Sequence, residues 1–168
     1  MRLFVAVFPP EEARDHLRQR LAGTRDVRLT RPDKWHITLH FLGEVADDRR
    51  SEVERVLHAV PLPGLRPRVR LAGGGRFGRG RSTVLWTGVE GDVDALAEVH
   101  DRLGVAFGVE PAPLVPHLTI AYARSAAVRD ALADYAGPEW TVDEIMLVRS
   151  HYREGGDYET LRTRPLGD

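Results

Sequence analysis

His36-Ile37-Thr38-Leu39 and His117-Leu118-Thr119-Ile120 are one pattern written twice, once in each half of a 168-residue chain, and each copy sits in an apolar run of strand character. Successive side chains of a strand alternate faces. His36 and Thr38 therefore project to one side and Ile37, Leu39 and Phe41 to the other; His117 and Thr119 are set against Leu118 and Ile120 in the same way. A single His-x-Thr on a strand arises readily by chance, whereas two copies in matching contexts do not. Two imidazoles suit a reaction that needs a general base and a general acid at once near neutral pH. Two threonine hydroxyls suit a substrate with several anionic oxygens, because they donate hydrogen bonds without adding charge.

Outward from these motifs, Leu3 to Phe8 reads as a buried strand. A helix comes after it, with Pro10 near its first position, Glu11 and Glu12 in its first turn, and Ala13, Leu17 and Leu21 on one face. Further helices are predicted over Asp47 to Val60, over Asp92 to Phe107 with Val93, Leu96, Val99 and Leu103 inward, and after Ser125 as a cap with Val128, Leu132 and Tyr135 on its face. Strands are predicted over Trp35–Leu42, Pro67–Leu71, Thr83–Val89, His117–Ala123, Thr141–Val148 and Tyr158–Arg162. The order strand, helix, His-bearing strand, helix recurs, so the expectation is one α+β domain spanning 1–168, with two lobes and mainly antiparallel sheets.

Composition narrows the chemistry. At 18.8 kDa and 42% apolar residues the chain can bury a core, and no run approaches the ~20 apolar residues of a membrane span. The N-terminal apolar stretch is too short for a signal peptide, so a cytoplasmic protein is expected. Zero cysteines exclude thiol nucleophiles, disulfides and cysteine-ligated metals. Charge is balanced at 24 Lys+Arg against 25 Asp+Glu, without the global basic field of a non-specific DNA binder. Lys34 is the only lysine. Arg66, Arg68, Arg70, Arg76, Arg79 and Arg81 fall in an acid-free stretch from Leu62 to Val89, either a phosphate-facing surface or simple solvation.

The sequence resembles the 2H phosphoesterases, and within them the RNA 2′,3′-cyclic phosphodiesterases, also called 2′-5′ RNA ligases. The resemblance runs from Arg2-Leu3-Phe4-Val5-Ala6-Val7 through Trp35-His36-Ile37-Thr38-Leu39-His40-Phe41-Leu42-Gly43 and Val84-Leu85-Trp86 to Pro116-His117-Leu118-Thr119-Ile120 and the segment Ser150 to Leu161. It implies a two-lobed fold with a pseudo-twofold axis and a central cleft. It also implies metal-independent and cofactor-independent opening of a cyclic phosphate at an RNA 3′ end to a 2′-phosphate. His117 as base, His36 as acid, and Thr38 and Thr119 on the non-bridging oxygens would carry it, although pseudo-symmetry leaves the two histidines interchangeable on paper. Where the family commonly has an arginine this chain has Tyr122, with Arg124 next; a hydrogen bond from Tyr122 to the phosphate, or Arg124 reaching back to it, is expected instead. Phe41 corresponds to an aromatic that stacks on a nucleobase in relatives, yet its parity opposite His36 marks it as a core residue unless the strand bulges.

Rival readings are weaker. His36 and His40 lie about 13 Å apart along a strand, too far to share a metal easily; His40 is expected at an exposed or RNA-facing position. His16, His58 and His100 read as surface or boundary residues of helices, none of them catalytic, and His151 as a cleft or turn residue. The run Gly73 to Ser82 contains a G-x-G-x-x-G, but strand rather than helix comes after it, so a flexible basic hairpin loop near RNA, with Arg76 and Arg79, is expected instead. A 2H enzyme for another cyclic or 2′-5′-linked nucleotide and a non-catalytic RNA-end binder stay open. Expected partners are RNA 3′ ends or small cyclic nucleotides, with no membrane and a monomeric chain.

Overall fold

A computed structural model describes residues 1–152 and 156–167; part of the closing segment, 153–155, lies outside the described residues. In chain order the elements are β1 (Arg2–Val7), α1 (Glu11–Leu21), β2 (Ile37–Glu44), α2 (Arg50–Ala59), β3 (Arg68–Phe77), β4 (Val84–Gly91), α3 (Val93–Ala106), β5 (His117–Ala121), α4 (Ala126–Leu132), β6 (Trp140–Thr141), β7 (Glu144–His151) and β8 (Asp157–Pro165). They make two four-stranded antiparallel sheets, ordered β2-β1-β7-β8 and β5-β4-β3-β6. The two orders correspond. In each sheet a motif strand lies at an edge, and the strand beside it leads to it through a helix: β1–α1–β2 in one lobe, β4–α3–β5 in the other. The two motif edges face each other.

β1 is apolar on both faces because both are covered. Leu3, Val5 and Val7 join the main core, which runs through both sheets and packs on Leu17, Leu57, Leu96 and Leu103 of three helices. Phe4 and Ala6 face the other way and form a small cluster with Val148, flanked by Phe8 and Tyr158. The helices form where the apolar spacing puts them. Ala13, Leu17 and Leu21 are the buried face of α1; Leu96, Val99 and Leu103 are that of α3. The Ser125 hydroxyl accepts the Val128 N–H at 3.0 Å, capping α4, and donates to Asp26 at 2.7 Å.

The structure corrects the sequence in four places. The strand predicted over Thr141–Val148 is two strands in different sheets. Trp140–Thr141 pair with β3, the Val142 N–H bonds the Pro67 carbonyl at 2.8 Å, and the chain then crosses to pair with β1 as β7. Alternation looks the same on either side of such a crossing. The glycine-rich run is strand as far as Phe77: Gly74 lies against Leu132, and the Trp86 ring lies over Gly75, so a Cβ at either would meet those side chains within 3 Å.

The other two corrections share a cause. Val5 pairs with His40 and Ala6 with Thr38, so Leu39 is an extra residue, and Leu42 is extra in the same way between Phe41 and Gly43. A bulge shifts side-chain parity by one. Leu39 and His40 consequently both point inward, and His40, expected at the surface, is only 8% exposed and stacks on Phe107 of the α3 C-terminus at 5.3 Å. Phe41, expected in the core, turns out to the face of Thr38 and is 54% exposed.

Candidate active site

The second motif repeats this device. Leu85 pairs with Ala121 and Trp86 with Thr119, leaving Ile120 extra. Ile120 and Ala121 are both buried, and Tyr122 swings out, 69% exposed. Phe41 and Tyr122 are therefore equivalent residues of the two lobes, each aimed by a bulge directly after its motif threonine.

Between the motif edges lies a cleft of about 810 Å³, within the range of a small-molecule site. His36, Thr38 and Phe41 wall it from one lobe; Thr119, Tyr122 and Ala123 wall it from the other. His117 is not a wall residue itself, but it shares the face of Thr119 and is close enough for its charge to act on His36. Arg2, Arg28, Arg31 and Lys34 also line the cleft, and no Asp or Glu does among the described residues. In a chain of net charge −1, that leaves the cleft locally cationic.

Each histidine is held in the same manner. The His36 Nδ1 hydrogen bonds the Lys34 carbonyl at 2.7 Å, and the His117 Nδ1 bonds the Val115 carbonyl at 2.8 Å, both two residues back. A carbonyl only accepts, so Nδ1 carries the proton and Nε2 is the nitrogen left for substrate. Aromatic rings fix each imidazole plane. His36 sits among Phe4 at 4.8 Å, Tyr158 at 5.5 Å and Phe8 at 5.8 Å; His117 sits against Phe77 at 4.8 Å and Trp86 at 5.7 Å. Burial pushes the His36 pKa below its ordinary value, and the charges of His117 and Lys34 push the same way against the Lys34 carbonyl bond. Burial likewise raises Tyr158, with Tyr122 adding to it, so its phenol stays protonated.

Thr30, which sequence reasoning passed over, joins the lobes: its N–H donates to the Ile120 carbonyl at 2.8 Å and its hydroxyl to the Thr119 carbonyl at 2.9 Å. Nothing in a loop threonine announces this. Lys34 and Arg2 were also missed as cleft residues, although Lys34 carried a signal as the only lysine, two residues before His36. Arg76, Arg79 and Arg124 stand outside the cleft wall. Arg124 does so because it lies three residues beyond the end of β5 at Ala121. Arg68 and Arg70 share the Glu139 carboxylate, which neutralises part of the acid-free stretch. His151 bonds Glu159 at 2.8 Å near the end of β7, beside a small cavity that shares Arg2, Ser150 and Tyr152 with the cleft.

The sequence profile of the 2′-5′ RNA ligase superfamily matches residues 9–154, a span that contains both motifs. The chain belongs to the 2′-5′ RNA ligase superfamily. Two of its relatives bear the name RNA 2′,3′-cyclic phosphodiesterase. The protein of Methanothermobacter thermautotrophicus is 30% identical, with 95% of each chain aligned. That of Thermus thermophilus is 31% identical over 96% of this chain and 87% of its own. A crystal structure of a Thermus thermophilus protein superposes over the whole of both chains with a TM-score of 0.77 at 26% identity. The two-sheet architecture is thus that of the superfamily, and no helix among the described residues is long and apolar enough to cross a membrane.

Proposed function

We propose that the chain, acting as one two-lobed domain, opens the terminal 2′,3′-cyclic phosphate of an RNA to a 2′-phosphate by metal-independent acid–base catalysis. The observation that carries this reading is the pair of histidines on opposed lobes, each with Nδ1 tied to the carbonyl two residues back. Two proton-transfer groups of matched geometry on either side of a cationic, nucleotide-sized cleft suit in-line displacement at phosphorus. The names of its relatives give the same substrate.

In the reaction, a water proton passes to His117 as the water oxygen bonds to phosphorus. The bond from phosphorus to the ribose O3′ breaks, and that oxygen takes a proton from His36. The O2′ bond is kept, giving the 2′-phosphate. His117, the more open of the two, suits activation of a solvent water. His36 suits proton delivery, because its apolar surroundings favour the neutral imidazole left behind. Thr38 and Thr119, one from each lobe, donate to the non-bridging oxygens. An RNA 5′-hydroxyl in place of water would use the same groups to form a 2′-5′ bond, the reaction in the superfamily's name.

The test is turnover of a short RNA ending in a 2′,3′-cyclic phosphate, in excess chelator, with the product isomer identified by chromatography. A 2′-phosphate that disappears in His36→Ala and in His117→Ala is expected. Turnover only with added metal overturns the mechanism. No turnover under either condition moves the reading to another cyclic or 2′-5′-linked nucleotide, or to an RNA-end binder.

A further inference from the structure

Position 122, the second-lobe position equivalent to Phe41, is a tyrosine, so the second motif brings no cation of its own into the cleft wall. Of the four cations in that wall, Arg28 is exposed on the loop before Thr30, Arg31 is held by Asp157 at 2.9 Å and Asp33 at 3.3 Å, and Arg2 lies between the Phe41 and Tyr152 rings at 5.2 and 5.1 Å. Lys34 is placed differently. It closes the short helical turn Pro32–Lys34, and its carbonyl is the one that holds the His36 ring. Its backbone is therefore fixed relative to the reacting imidazole. Its ammonium lies 4.5 Å above the centre of the Tyr158 ring, which also packs edge-on against His36.

We propose that the Lys34 ammonium is the phosphate-binding cation of this site, meeting a non-bridging oxygen of the cyclic phosphate from the first lobe and supplying the charge that position 122 does not. The assignment rests on the phosphodiesterase reading above and deepens it. Every other basic side chain of the Lys+Arg set is an arginine, and the space explains the exception. A Cβ on Gly156, whose φ is +79°, would come within 3.3 Å of the Lys34 Nζ. A compact ammonium fits between that backbone and the Tyr158 face, where the broader guanidinium fork has less room. Its charge also acts on His36, in the direction that makes the imidazolium a readier donor.

Lys34→Met keeps the aliphatic stem, and Lys34→Gln serves as a second variant should the first fail to fold. Two readouts are needed. kcat/KM on a nucleoside 2′,3′-cyclic phosphate should fall about 100-fold, the usual effect of removing one charge-stabilising donor. Lys34→Arg should recover only part of that, and Tyr122→Arg placed on Lys34→Met should regain about tenfold. Binding of inorganic phosphate, followed by its phosphorus resonance, should be lost in Lys34→Met. Activity within threefold of the parent, or unchanged phosphate binding in both variants, overturns the assignment. A parent protein that binds phosphate through Lys34 but turns over no cyclic phosphate leaves the assignment standing and removes the phosphodiesterase reading.

Discussion

The Trp35 indole N–H donates to the Thr30 hydroxyl at 2.8 Å, and that hydroxyl in turn reaches the Thr119 and Ile120 carbonyls at 2.9 and 3.1 Å. Trp35 adjoins one motif histidine and Thr119 belongs to the other motif. A single side chain thus sets the spacing across the cleft. Thr30→Val keeps the shape but strands the buried indole donor, which should cost about 1–3 kcal/mol. Because small misplacements of paired catalytic groups are expensive, kcat should fall about tenfold or more with KM little changed. Thermal unfolding and steady-state kinetics check both, and an unaltered kcat would show that the spacing is set elsewhere.

The roles of the two histidines separate with a substrate that does not need an acid. His36→Ala and His117→Ala should each lose about 100- to 10,000-fold on an ordinary cyclic phosphate. When sulfur replaces the 3′-oxygen, the leaving group departs without a proton. His36→Ala should then regain most of its rate and His117→Ala should not. Rescue of the His117 variant instead would reverse the assignment.

Burial lowers the pKa of both His36 and His40 from the ordinary value of 6.5. The unfolded chain therefore binds more protons than the folded one once the pH drops below that value, and protonation favours unfolding. Stability should be full above about pH 7 and decline as the pH falls through and below the ordinary histidine range. Denaturant midpoints across this interval measure it. His40→Leu, which removes one titrating group packed on Phe107, should flatten part of the slope.

Gly75 is a glycine for its neighbour rather than for its backbone. A Cβ there would lie 2.3 Å from the Trp86 ring, the ring that backs His117. Gly75→Ala should destabilise by about 1–3 kcal/mol through overpacking and reduce kcat as Trp86 is displaced. Gly23→Ala is the control, since nothing lies within 4 Å of its added Cβ and its stability should be unchanged. Equal melting of the two variants would count against the role of Trp86.

Whatever depends on neighbours along the chain was legible in the order of amino acids. Helix faces such as Leu96, Val99 and Leu103, the Ser125 cap, and the shared face of His36 with Thr38 all arise from fixed periods of 3.6 and 2. The duplicated motif showed the two-lobed plan and named four residues of the candidate site. Features that depend on partners far along the chain were settled only by folding. Pairing with β1 and β4 placed the extra residues Leu39 and Ile120, and each bulge reversed the parity of the residues after it, sending His40 inward and Phe41 and Tyr122 outward. The crossing at Val142, the Thr30 bridge and the seating of Lys34 over Tyr158 are likewise contacts across long loops. Alternation records which residues are apolar but not which strand they pair with, so a register shift leaves no trace in the sequence.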